Sequence, residues 1–331
     1  MANGNALATT LYPLLAPAVA TALLAAPPEL LDRAAEGRVR AGKPLQVVTH
    51  VGDVFLDGAG RPADQASAYI TGSEDVAKTL QLISRNSLYA YEEELRQGFL
   101  TVAGGHRIGL VGQAVLAGGE LKTLKNISAL NIRLAREVRG AADEIAAYVV
   151  SAPRRVASTL VISPPRCGKT TVLRDLARQL SSGIAALGFA GVQVGVVDER
   201  SELAACRDGV PTADLGPRAD VLDGCPKAVG LLMLIRSMAP QVVVTDELGR
   251  EADAQAVREA RHAGVAIVAS AHGSDVADIA ARPYIGSLIG EKVFERYVIL
   301  GDEPAVGTVR KIAAASGEVL YLRSKGVRAC G

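Results

Sequence analysis

Tryptophan is absent from the 331 residues, and aromatic side chains of all kinds make up only 4%. Aromatics supply the platforms on which single-stranded nucleic acid stacks, so no such platform is expected, and the cores must be aliphatic. Blocks of one charge are missing as well. The 36 Lys and Arg are balanced by 35 Asp and Glu, for a formal net charge of +1, and nowhere do five basic residues run together. This composition lacks the electrostatic footprint of a nucleic-acid or anionic-membrane binder, so a partner has to be recognised by shape. Cysteine is scarce. Cys167, Cys206, Cys225 and Cys330 form no CxxC pair and have no His at zinc-finger spacing. Neither a disulfide framework nor a zinc site is expected, and free thiols in a reducing cytosol are the simplest reading.

An unbroken membrane-length apolar run is also missing. Residues 6–26, "ALATTLYPLLAPAVATALLAA", come nearest, but Pro13 and Pro17 interrupt them and no Lys or Arg precedes Arg33. That argues against a signal peptide or a span. A short buried or interface helix is expected, with a membrane-contacting segment as the alternative. What the chain does have is bulk: 49% apolar residues over this length can bury one large or two modest cores, and two domains are expected.

The apolar segment 1–28 leads into a mixed region, 29–140. "GRVRAGKPLQVVTHVGDVFLD" shows partial alternation broken by Gly and Pro, the pattern of short antiparallel strands. Thr71-Gly72-Ser73-Glu74 reads as a capping box before "DVAKTLQLISRN". A second helix is expected in "SLYAYEEELRQG", with Gly98 as its C-cap. Strands return in "FLTVAGGHRIGLVGQAV", bounded by the turn pairs Gly104-Gly105 and Gly118-Gly119. From 141 to 302 the character changes. Apolar runs in "VASTLVIS", "VQVGVVD", "QVVVTD", "VAIVASA" and "YVILG" alternate with helical segments. Five such strands predict an α/β fold with a mainly parallel sheet covered on both faces. The tail, 303–331, reads as a possible hairpin.

Between the first of these strands and the helix "TTVLRDLARQLSSG" stands "ISPPRCGKTT", a variant of GxxxxGK[ST]. A loop placed there aims backbone N–H groups and a helix N-terminus at anionic oxygens. Ser163, Pro164, Pro165, Arg166, Cys167, Gly168, Lys169, Thr170 and Thr171 are therefore the expected nucleotide-binding residues. Ser163 replaces the first glycine by another small residue, and Arg166 is expected at the crown of the loop, facing solvent or a neighbouring subunit. Lys169 reaches the β/γ phosphates, and the Thr170 hydroxyl is a ligand for Mg²⁺.

About 80 residues later "QVVVTDELG" is a buried strand that ends in Asp246-Glu247. Asp246 is expected to hold Mg²⁺ through water, and Glu247 to orient or deprotonate the attacking water. "VAIVASAHG" ends in Ser270 and His272, and His272 fits a polar sensor of the γ-phosphate on a strand inserted between the loop strand and the Asp-Glu strand, as in RecA/AAA-like P-loop ATPases. "VVDERSELA" puts Asp198, Glu199, Arg200 and Glu202 at the carboxyl end of its strand, the side on which open α/β sheets bind ligands. Glu199 is a second candidate for activating water. Ring ATPases use an arginine from a neighbouring subunit. Arg107, Arg133, Arg136, Arg207, Arg218 and Arg236 are the candidates, with most of them expected to serve in structural ion pairs.

Together with "SLYAYEEELRQGFLTVAGGHRIGLVGQAV", "LNIRLAREVRG", "LGPRADVLDGCPKAVGLLMLIRSMAPQVVVTDELG" and "SAHG", these stretches resemble the bacterial stage III sporulation protein AA family over roughly 87–273. The resemblance implies a RecA/AAA-like P-loop ATPase domain preceded by a smaller α+β N-terminal domain, related to type II and type IV secretion ATPases. It implies ATP and Mg²⁺ as cofactors and a homo-oligomeric ring, a hexamer. Membrane-channel proteins of the sporulation apparatus are the implied partners, and the task is to energise the channel between mother cell and forespore. The location it implies is cytoplasmic, at the inner face of a membrane channel, with peripheral association through partners, while the near-zero net charge and few aromatics lead to the expectation of no direct contact with nucleic acid. In that family a glycine is common where Arg166 stands, its acidic strand end corresponds to Asp198 and Glu199, its Asp-Glu pair to Asp246 and Glu247, and its His box to His272. Two other functions remain open: a nucleic-acid-dependent ring ATPase, which stimulation by single strands would reveal, and a nucleotide-binding assembly scaffold with little turnover.

Overall fold

A computed structural model of the chain describes residues 7, 10–49, 51–84, 91, 95–96, 98–102, 104–135, 138–206 and 209–323. The chain divides into two units, residues 1–136 and 137–331.

In the first unit the apolar leader folds into a short turn at Tyr12–Leu14 and helix α1, Pro17–Leu24, followed by α2, Pro28–Arg33. Both prolines that interrupt the leader start a helix, Pro13 near the head of the short turn and Pro17 at the head of α1, where a missing N–H costs nothing. Leu11, Leu15, Val19 and Ala22 are buried in this unit's core. Among the described residues no helix is long and apolar enough to cross a membrane.

Among the described residues, Lys43–Pro44 and Ile70–Thr71 pair as a small two-stranded sheet, and seven further strands are β1 (Ala34–Arg40), β2 (Gln46–Thr49), β3 (Gly52–Leu56), β4 (Pro62–Ala63), β5 (Phe99–Val102), β6 (His106–Ala117) and β7 (Glu120–Arg133). They form one antiparallel sheet in the order β4-β3-β2-β1-β7-β6-β5. Gly104, Gly105, Gly118 and Gly119 all have positive φ and make the two tight turns on either side of β6. Helix α3, Ser73–Ile83, starts one residue later than the sequence motif predicts. The Gly72 N–H donates to the Asp75 carboxylate at 2.8 Å. Thr71 is not the cap because its hydroxyl donates to the Arg40 carbonyl at 2.6 Å and is spent on the strands. The helix expected at 87–98 lies mostly outside the described residues. Arg107 lies over the Phe99 ring, 3.5 Å from its centroid, and Arg133 pairs with Glu36 at 3.5 Å.

The second unit is an eight-stranded sheet. Its strands are β8 (Thr159–Ser163), β9 (Val194–Asp198), β10 (Ala219–Asp223), β11 (Val242–Thr245), β12 (Ala266–His272), β13 (Arg296–Gly301), β14 (Thr308–Ala314) and β15 (Val319–Leu322). The order is β10-β9-β11-β12-β8-β13-β14-β15, parallel from β10 to β13 and antiparallel for the last two. The five expected strands are present. β10 is an addition that its half-exposed, charge-bearing sequence conceals, because an edge strand needs no continuous apolar run.

Helices α4 (Asp143–Val149) and α5 (Lys169–Ser182) cover one face of the sheet, and α6 (Lys227–Met238) and α7 (Glu251–His262) cover the other. Alternate residues of β8 serve the two cores: Val161 packs with Val172, Leu176 and Leu180 of α5, while Leu160 and Ile162 pack with Leu231, Val257 and Phe294. All five residues of β8 are buried, as expected of a parallel strand with helices on both sides. The tail is the hairpin of β14 and β15, and Val309 and Ile312 join the first of these cores.

Candidate functional site

The parallel order brings the chemistry to one edge. β12 lies between β8 and β11, so the phosphate loop after β8, His272 at the end of β12 and Asp246-Glu247 after β11 open onto the same side. β9 lies next to β11 and adds Glu199.

Gly168 has φ +80 at the N-cap of α5. A Cβ there would lie 3.1 Å from the Gly307 Cα and 3.4 Å from Val306 Cγ1, so the turn before β14 closes on the loop. Arg166 is exposed at the crown with φ +63. That left-handed conformation costs a residue with a side chain about 1–2 kcal/mol. Ser163 ends β8 fully buried, and its hydroxyl donates to the Pro164 carbonyl at 2.8 Å. Pro164 and Pro165 are exposed, Cys167 is buried, and Thr170 and Thr171 are half-buried at the start of α5.

The Lys169 ammonium donates to the Ser163 carbonyl at 3.0 Å, to the Pro164 carbonyl at 3.0 Å and to His272 Nδ1 at 3.0 Å. Burial lowers the Lys169 pKa, and the negative charge of Glu247 partly offsets it. An ammonium only donates, so Nδ1 of His272 accepts, and the proton sits on Nε2, which donates to Glu247 Oε1 at 2.8 Å. His272 thus links the phosphate-loop lysine to the candidate base. Glu247 has φ +39. Its N–H is held by Ser270 Oγ at 3.0 Å and its other oxygen by Arg200 at 3.3 Å.

Asp246 is 3% exposed, and its Oδ1 is buried with no hydrogen-bond partner. Burial is the largest influence on this carboxyl. Lys227, 3.9 Å away, opposes it, the charges of Asp198, Glu202 and Glu247 add to it, and the pKa stands at about 7. An orphaned buried carboxylate oxygen at the sheet edge that also carries the phosphate loop fits a divalent cation or its water shell. Among the described residues, no group of three or more His, Cys, Asp or Glu side chains is placed to hold a metal by itself.

Glu199 bonds to Lys227 and lies 3.6 Å from Arg250. Burial raises its pKa, but the hydrogen bond and charge of Lys227, with Arg250 and Arg200, outweigh this and hold the carboxyl below its ordinary value. Asp198 is fully buried and accepts the N–H groups of Glu202 and Ala204 at 2.9 and 2.8 Å, so it closes the turn after β9. Burial raises its pKa. Lys227, Arg250 and the turn at Val306 and Gly307 are site elements that sequence reasoning missed. Lys227 did leave a signal: a cation in the first turn of a helix opposes the macrodipole and needs a local anion to hold it there. Of the candidate arginines, Arg218 donates to the Ser181 carbonyl at 2.6 Å, Arg236 lies exposed in the last turn of α6, and Arg136 and Arg207 lie outside the described residues.

A phosphate loop, an Asp-Glu strand and a strand inserted between them define the RecA-like P-loop ATPase fold. Solved structures agree. The Yersinia pseudotuberculosis ATPase DotB superposes with a TM-score of 0.54 at 11% identity over 88% of this chain and 74% of that one. The pilus retraction motor PilT with bound ADP does so with a TM-score of 0.54 at 14% identity, over 89% and 82%. A sequence model of the family described as "Sporulation stage III, protein AA" matches residues 8–320, and the chain belongs to that family. Stage III sporulation protein AA of Bacillus subtilis (strain 168) is 42% identical over 295 residues, covering 89% of this chain and 91% of its relative.

Proposed function

We propose that the chain is an Mg²⁺-dependent ATPase that assembles as a homo-oligomeric ring, a hexamer, and energises a secretion-like channel between mother cell and forespore. The observation that carries the catalytic part is the continuous path from Lys169 through His272 to Glu247, with contacts of 3.0 and 2.8 Å. The fold and family membership support the rest.

In this reading the Lys169 ammonium exchanges the loop carbonyls for β/γ-phosphate oxygens, while the N–H groups of the loop and the first turn of α5 bind the remaining oxygens. Losing Lys169 changes what His272 Nδ1 can bond to, so His272 reports occupancy of the loop to Glu247. Glu247 positions a water, with Glu199 as the second candidate. The water oxygen bonds to the γ-phosphorus as the bond to the β-bridging oxygen breaks, giving ADP and phosphate, and the carboxylate receives the water's proton. Thr170 and, through water, Asp246 would hold Mg²⁺, which would supply charge neutralisation at the phosphates.

The test is phosphate release against protein concentration for wild type and Glu247→Gln, with mass followed by light scattering in the same buffers. Specific activity should rise with assembly, and Glu247→Gln should bind ATP and assemble while turning over at least about 100-fold more slowly. A ring that binds ATP and releases no phosphate, even with membrane-channel partners present, overturns the motor in favour of a scaffold.

A further inference from the structure

Lys227 is 7% exposed and stands at the first residue of α6. Its ammonium bonds to Glu199 Oε2 and lies 3.9 Å from Asp246 Oδ1, the carboxylate oxygen with no hydrogen-bond partner. The placement is enforced by packing. At Gly230, one turn further along α6, a Cβ would lie 2.5 Å from Val197 Cγ1, so the missing side chain lets α6 press onto β9. Val197 is two residues before Glu199, and the same contact brings the lysine against the acidic strand ends. A lysine at a helix N-terminus pointing into the sheet is unfavourable on dipole and desolvation grounds. Here the opposing carboxylates from β9 and β11 compensate it.

We propose that Lys227 is a positioning residue that acts as a built-in counter-cation: it fixes Glu199 and balances the charge of Asp246, and so raises the Mg²⁺ concentration that nucleotide binding requires. The inference rests on the ATPase reading above. A fixed ammonium within 4 Å stabilises neighbouring carboxylates and repels a divalent cation approaching them. The lysine therefore keeps the acidic edge from binding free Mg²⁺ and favours Mg²⁺ that arrives on a nucleotide, whose phosphates bring their own negative charge.

The experiment is ADP binding by calorimetry across an Mg²⁺ titration at one fixed alkaline pH, at which Asp246 is ionised with or without Lys227, with wild type, Lys227→Met, Lys227→Arg and Glu199→Gln, alongside phosphate release from ATP. Lys227→Met should reach half-maximal ADP binding at about tenfold lower Mg²⁺, while its turnover falls about tenfold or more because Glu199 is no longer held. A purely structural lysine would not move these two readouts in opposite senses. Lys227→Arg keeps the charge and should keep the wild-type Mg²⁺ midpoint. Glu199→Gln frees the ammonium for Asp246 and should move the midpoint upward. Should Lys227→Met fail to fold, Lys227→Gln, which retains a polar head, carries the same expected shift. An Mg²⁺ midpoint that stays put or rises on removing the charge overturns the inference alone. A wild type that binds no ADP at any Mg²⁺ concentration overturns the ATPase reading, and the inference with it.

Discussion

Gly168→Ala puts a methyl where the phosphate loop enters α5. The backbone there has φ +80, and a non-glycine residue in that region costs about 1–2 kcal/mol. The new Cβ would also lie 3.1 Å from the Gly307 Cα, 3.2 Å from its nitrogen and 3.4 Å from Val306 Cγ1. Two of these three neighbours are backbone atoms that cannot rotate away, so the loop or the turn at 306–307 must move, at about 1–3 kcal/mol. Together this is roughly 2–5 kcal/mol, or about 2–4 °C of melting temperature per kcal/mol for a unit of this size. The assay is thermal denaturation of the full chain with Gly224→Ala as reference. Gly224 has φ +64 and no atom within 4 Å of where a methyl would stand, so it bears only the backbone strain. Gly168→Ala should melt well below Gly224→Ala and lose ADP affinity, because the displaced loop no longer aims its N–H groups. Equal melting temperatures, within about 1 °C, together with unchanged ADP binding would refute the close approach of the 306–307 turn.

Burial lowers His106 in the first unit to a pKa of about 4, while its Nδ1 accepts the Ala135 N–H at 3.1 Å. An unfolded His titrates near 6.5, so between these values the unfolded chain binds more protons. Its contribution is present above about pH 6.5 and is lost as pH falls toward 4, about 3 kcal/mol in all. Urea midpoints of His106→Gln should therefore fall less steeply than wild type from pH 7 to pH 4, and parallel curves would refute the assignment. Ile312 is fully buried on β14, so Ile312→Ala should cost about 2–5 kcal/mol in urea denaturation. A loss below about 1 kcal/mol would mean that the C-terminal hairpin is not part of the core.

The phosphate loop was legible because its chemistry is local: Gly168, Lys169 and Thr170 are consecutive, and the apolar strand before them and the helix after them fix which way they face. Glu247 and His272 were legible for a related reason, since each ends a run of apolar residues that only a buried strand accommodates. The capping residue of α3 was misplaced by one position because Thr71 had a competing use, hydrogen bonding across to Arg40, that a linear motif does not encode. β10 was missed because an edge strand with half-exposed residues shows no apolar run.

The parallel α/β class and the places of the GxxxxGK[ST]-like loop and the two polar strand ends were already written in the order of residues, because strand period, helix period and loop spacing are short-range properties of the chain. What those residues bond to came from the packing of the sheet and its helices. Strand order set His272 between Lys169 and Glu247. The absence of a side chain at Gly230 let α6 approach β9 and carry Lys227 to Glu199, and closure of the 306–307 turn gave the loop its second wall. These contacts join residues tens to more than a hundred positions apart. They exist only once the sheet has assembled, and no local pattern along the chain records them.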